Sequence, residues 1–192
     1  SLNQGKNMDR RNFLIRLGSG LIATVPPLSS LLAGCASPVR DTLDPPAGFA
    51  GQAWWRTMAA VQAHLLPSES GAPGAREIHA EAFLHGVLAD PRLAPADRAF
   101  LIGGVETLEK FARDTTARRF VDLSHEQREA VLRDLEATPD GRRWLTEMLS
   151  YLMEALLGDP VYAGNPDGIG WKWLAHNPGF PRPPADKRYF LL

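Results

Sequence analysis

Between Trp144 and Leu157 the apolar residues fall in pairs four positions apart: Trp144-Leu145, Met148-Leu149, Leu152-Met153 and Leu156-Leu157. On an α-helix that spacing lays a broad apolar stripe along one side, wide enough to require burial between other helices. On a strand it would scatter over both faces. Pro160 stops the segment.

The rest of the ordered chain repeats the pattern. Trp54, Trp55, Met58, Val61, Gln62, Leu65 and Leu66 recur at helical spacing and Pro67 closes that segment. After a polar turn over 68–74, Ile78, Ala82, Phe83, Val87 and Leu88 do so again, up to Pro91. Pro95 suits the first turn of a third helix with an apolar face of Phe100, Leu101, Val105, Leu108, Phe111 and Ala112; within it Gly103-Gly104 either kinks the helix or admits a close neighbour. Ser124-His125-Glu126-Gln127 has the form of a capping box that starts a fourth helix through Val131, Leu132 and Leu135. No segment sustains the two-residue alternation of a half-buried strand. The expected class is therefore all-α, an irregular bundle of about five helices over residues 52–157.

Residues 158–192 differ in kind. Turn formers alternate with aromatics from Gly158 through Trp173, and the tail Asn177-Pro178-Gly179-Phe180-Pro181-Arg182-Pro183-Pro184 excludes helix or central strand. An extended Gly/Pro/Trp-rich arm is expected, with Pro160, Tyr162, Asn165, Gly170, Trp171, Lys172 and Trp173 as its partner-binding residues. From the residues alone, the arm equally suits a loop that packs its tryptophans on its own bundle.

Residues 1–34 are expected to be an export leader. After Met8, taken as the start, Arg10-Arg11 with Phe13 and Leu14 forms a twin-arginine signal, and the apolar stretch from Leu14 to Leu32 is broken by Gly18, Gly20, Pro26 and Pro27. It is short for a bilayer span. Leu32-Ala33-Gly34-Cys35 looks like a bacterial lipoprotein box, with Cys35 as the lipid attachment site. A buried free thiol is the alternative for Cys35, which has no second cysteine for a disulfide or thiolate metal site. Residues 35–51, rich in proline and glycine, are expected to form a flexible tether.

Cleavage before Cys35 would remove Lys6, Arg10, Arg11, Arg16 and Asp9, leaving 17 basic and 21 acidic residues. A net negative chain without a basic stripe is a poor nucleic-acid ligand. Nor do the residues carry enzyme chemistry. His64, His79, His85, His125 and His176 have no metal-ligand spacing, and neither a Gly-x-Ser-x-Gly elbow nor a Gly-x-Gly-x-x-Gly run occurs. No catalytic, cofactor-binding or metal-binding residue is expected in this chain.

Four stretches carry a family likeness: the arginine-pair leader; His64-Leu65-Leu66-Pro67 with Gly71-Ala72-Pro73-Gly74-Ala75; Leu123-Ser124-His125-Glu126-Gln127-Arg128; and Asp159-Pro160-Val161-Tyr162-Ala163-Gly164-Asn165 leading into Gly170-Trp171-Lys172. In these the chain resembles the gluconate 2-dehydrogenase subunit 3 family. It departs at Ala163, where the family often has glycine, at Pro166, where a basic residue is common, and in a stretched Ala175–Pro181 ending. The resemblance implies a non-catalytic small subunit of a membrane-tethered sugar, polyol, aldonate or glycoside dehydrogenase. The large partner, of the glucose-methanol-choline oxidoreductase type, would hold FAD, and electrons would leave through a cytochrome c subunit with haem c or another membrane acceptor. This chain would escort that partner through the Tat translocase and stabilise or anchor it by the lipid on Cys35. The expected site is the periplasmic side of a bacterial membrane, the outer one slightly favoured because Ala36, not aspartate, follows the cysteine. A free-standing periplasmic lipoprotein enzyme or binding protein is the alternative, and an assembly chaperone a third reading.

Overall fold

A computed structural model of the chain describes residues 52–187. The twin-arginine residues Arg10, Arg11, Phe13 and Leu14, the lipid-box Cys35 and the expected tether lie outside the described residues. Six α-helices are present among the described residues: α1 (Ala53–Leu65), α2 (Ala80–Ala89), α3 (Pro95–Thr116), α4 (His125–Glu136), α5 (Pro139–Leu157) and the short α6 (Ile169–Trp173). They form the all-α irregular bundle expected, and no strand occurs among the described residues.

Each boundary has a local cause. Ser124 Oγ accepts from the Gln127 amide at 3.3 Å while Gln127 Oε1 accepts from the Ser124 amide at 3.1 Å, closing the capping box that opens α4. Helix α5 starts at Pro139, five residues before the stripe itself, because Thr138 Oγ1 accepts from the Gly141 amide at 3.1 Å and Pro139 fits the first helical position. Helix α3 runs unbroken through Gly103-Gly104. Of the two roles open to that pair, a close neighbour is the one realised: a Cβ on Gly104 would run into the indole of Trp144. That indole is buried and donates from Nε1 to the Leu101 carbonyl at 2.9 Å.

The second helix is shorter than its apolar period suggests. Ile78, expected on its face, lies outside it in the turn before α2. His79 takes a left-handed conformation (φ 55°), which breaks helical continuity, and Ile78 is instead fully buried against Leu152, Ala155 and Leu156.

Two clusters make the core. Trp55, Met58, Val61, Leu84, Leu101, Leu108, Phe120, Leu135, Trp144 and Met148 form the larger one. Leu66, Ala75, Ile78, Ala80, Leu152, Ala155 and Leu156 form the smaller. The paired stripe of α5 serves both, its first half packed into the larger cluster and its second half into the smaller. The C-terminal end of α5 therefore brings the smaller cluster to the surface beside residues 158–173.

Candidate partner-binding site

The last carbonyls of any helix lack intrahelical partners and must be satisfied from elsewhere. At the end of α5 residues 158–173 do this. Trp171 Nε1 donates to the Leu157 carbonyl at 2.7 Å, and Asn165 Nδ2 donates to the Gly158 carbonyl at 2.9 Å. Asn165 Oδ1 accepts from the Gly170 amide at 2.7 Å, and the Asn165 amide donates to the Ile78 carbonyl at 2.9 Å. One fully buried asparagine thus ties together the turn before α2, the end of α5 and the start of α6. Gly170 sits against the α5 backbone so closely that a Cβ would collide with the Leu156 carbonyl.

The segment expected as an extended arm is therefore, over 158–173, a folded knot: two 3-10 turns (Pro160–Tyr162 and Pro166–Gly168) and α6. Loops without long-range apolar periodicity can still fold when their polar groups match the free carbonyls of a helix end, and that match cannot be read from spacing. Asn165, Gly170 and Trp171, expected among the partner-binding residues, face the bundle. Pro160, Tyr162 and Trp173 are half-buried, and Lys172 is exposed. Ala163, where the family often has glycine, adopts φ 72°, a left-handed conformation that disfavours any residue with a Cβ and accounts for that preference.

Arg182 folds the tail back onto the knot. Its guanidinium donates twice to Asp159, from Nε at 2.8 Å and from an Nη at 3.1 Å, and lies over the Trp171 ring at 5.3 Å. The hydrogen bonds from Arg182 hold the Asp159 carboxyl below its ordinary range. A short 3-10 turn, Ala185–Lys187, follows the proline-rich stretch.

Between the knot and the bundle lies a groove of about 530 Å³. Its walls come from Phe83, Gly86 and Val87 of α2, from Met153, Glu154 and Leu157 of α5, and from Gly158, Asp159 and Tyr162 of the knot. Leu157 is 46% exposed here, while the neighbouring Leu156 is buried. Burial against the apolar walls raises the Glu154 carboxyl above its ordinary range, helped by the negative charge of Glu147 two turns earlier. Sequence spacing assigned Phe83, Val87, Met153 and Leu157 to core stripes and singled out neither Gly86 nor Glu154. The one available signal was the width of the α5 stripe, too broad for a single neighbouring layer to cover.

Where α1 meets α4, two of the stretches shared with the family come together. His64 and His125 rings stack with centroids 4.5 Å apart, and His64 Nε2 lies 2.9 Å from Glu129 Oε2. Burial lowers the His64 pKa, against the opposing pull of the Glu129 contact. Among the described residues no group of three or more His, Cys, Asp and Glu could hold a metal ion, and no helix is long and apolar enough to cross a membrane.

The fold is a helical domain with an apolar groove beside the C-terminal end of α5. The family model described as gluconate 2-dehydrogenase subunit 3 matches residues 52–179, and the chain belongs to that family. The family's description makes its members accessory subunits of a dehydrogenase complex. No curated protein and no solved structure matches the chain.

Proposed function

We propose that this chain is the non-catalytic accessory subunit of a membrane-tethered, FAD-dependent dehydrogenase acting on a sugar, polyol, aldonate or glycoside. The family match over nearly all of the described domain carries the proposal. FAD and substrate belong to the large partner, and a cytochrome c subunit or another membrane acceptor takes the electrons. The chain escorts the folded flavoprotein through the Tat translocase with Arg10 and Arg11, and the lipid on Cys35 keeps the complex at the periplasmic face of the membrane. Support comes from the sequence pattern of an arginine pair and a Leu-Ala-Gly-Cys box ahead of a helical domain that has an apolar groove beside the knot.

Changing both Arg10 and Arg11 to lysine tests the escort. The dehydrogenase activity of the complex should then accumulate in the cytoplasm, measured by fractionation with a dye acceptor. Normal periplasmic activity in the double variant contradicts the proposal.

A further inference from the structure

The two carboxylates that line the groove are in unlike states. Asp159 is paired with Arg182 in a bidentate contact at 2.8 and 3.1 Å. Glu154, one turn back on α5 and exposed at the groove, has no cation paired with it among the described residues, and the charge that shifts it is the like charge of Glu147. The surface around it is apolar: Phe83, Val87, Met153, Leu157 and Tyr162. An apolar occupant would strip water from that carboxylate, and burying it unpaired would cost more than the apolar contacts return. An occupant that brings its own cation removes the difficulty, because a desolvated ion pair replaces the lost hydration.

We propose that the groove receives an apolar segment of the flavoprotein partner that carries a lysine or arginine, whose cation meets the Glu154 carboxylate. The inference rests on the accessory-subunit reading and adds where, and by what chemistry, the two subunits join. The raised Glu154 pKa has the same sign: its apolar surroundings disfavour the charge, and an incoming cation would favour it. A second copy of the chain is a poorer occupant. Related by a two-fold axis through the groove, it would bring the acidic edge formed by Glu147 and Glu154 toward its own counterpart. Leu157, exposed at the mouth, is the side chain that an occupant would cover first.

The test uses the full chain in its native membranes with p-benzoylphenylalanine placed at position 157. Irradiation followed by peptide mapping should join it to an apolar stretch of the flavoprotein that contains a lysine or arginine. In parallel, Glu154→Lys and Leu157→Asp, each at a solvent-facing position and verified as folded by circular dichroism, should each weaken binding of the purified flavoprotein by about tenfold or more. Three results would overturn the inference while leaving the accessory-subunit reading intact. They are a cross-link to a second copy or to residues 1–51 or 188–192 of this chain, a cross-link to a flavoprotein stretch without a basic residue, and unchanged affinity in Glu154→Lys. Failure of the unaltered chain to bind any flavoprotein overturns both.

Discussion

Asn165 holds three parts of the chain with one side chain and one amide, and the cost of losing it can be stated. Replacement by alanine leaves the half-buried Gly158 carbonyl and the buried Gly170 amide without their partners, and puts a Cβ-bearing residue without a local hydrogen bond at φ 51°. Unpaired buried groups cost about 1–3 kcal/mol each and the left-handed backbone about 1 kcal/mol more. Asn165→Ala should therefore destabilise the domain by about 3 kcal/mol in urea unfolding followed by tryptophan fluorescence. Asn165→Gly, which relieves the backbone but not the hydrogen bonds, should recover about 1 kcal/mol of that. A change within about 0.5 kcal/mol for the alanine variant, the range of an ordinary surface substitution, contradicts the description of the knot. Through the same hydrogen bonds Asn165 and Trp171 tie the end of α5 to the knot that carries Asp159 and Tyr162.

At the scale of elements, the histidine pair joining α1 to α4 makes stability depend on pH. His64 has a folded-state pKa below its ordinary value because it is buried, so the unfolded chain binds more protons than the folded one across that interval. The stabilisation is fully present above about pH 6.5, the unperturbed histidine value, and is lost as pH falls through the lower folded value. Glu129 has the same sign: the hydrogen bond from His64 lowers its pKa, and its contribution fades at still lower pH, below the ordinary carboxylate range. His125, Arg128 and Arg133 also surround the pair, and their positive charges raise the cost of protonating His64 or steady Glu129. The urea midpoint should fall from pH 7.5 to pH 5.5, and His64→Gln, which keeps a neutral donor, should flatten that fall. Parallel pH profiles for the two proteins would contradict it. Most elements could be read from the sequence because their causes are local. Pro95, the Ser124 capping box, Pro160 and the α5 stripe all act within a few residues. The start of α5 carried an equally local signal in Thr138-Pro139, but the apolar period drew attention to Trp144. Ile78 was misplaced for a different reason, since a left-handed His79 and a hydrogen bond from Asn165, 87 positions on, decide where α2 begins.

For the whole molecule, legibility runs out where surfaces are assembled from distant segments. The all-α bundle follows from periodicity, and membership of the gluconate 2-dehydrogenase subunit 3 family agrees with the three resembling stretches that lie within residues 52–179. The groove does not follow in this way. It needs the end of α5, the side of α2 and the first turn of the knot together, and no spacing rule links Gly86 to Tyr162. The knot shows the same limit: its tryptophan and glycines are visible in the sequence, but that Trp171 turns inward depends on the unpaired Leu157 carbonyl. In the described domain, the side chains of Asn165 and Trp171 close a helix end, and those around Leu157 shape an apolar groove. The most direct test of the accessory-subunit reading is a gentle pull-down of the tagged full chain from its native membranes, with mass spectrometry and a flavin absorbance spectrum of the eluate. The account predicts a yellow eluate with a flavoprotein dehydrogenase in near-equal amount to this chain, whereas a colourless chain eluting alone would contradict it.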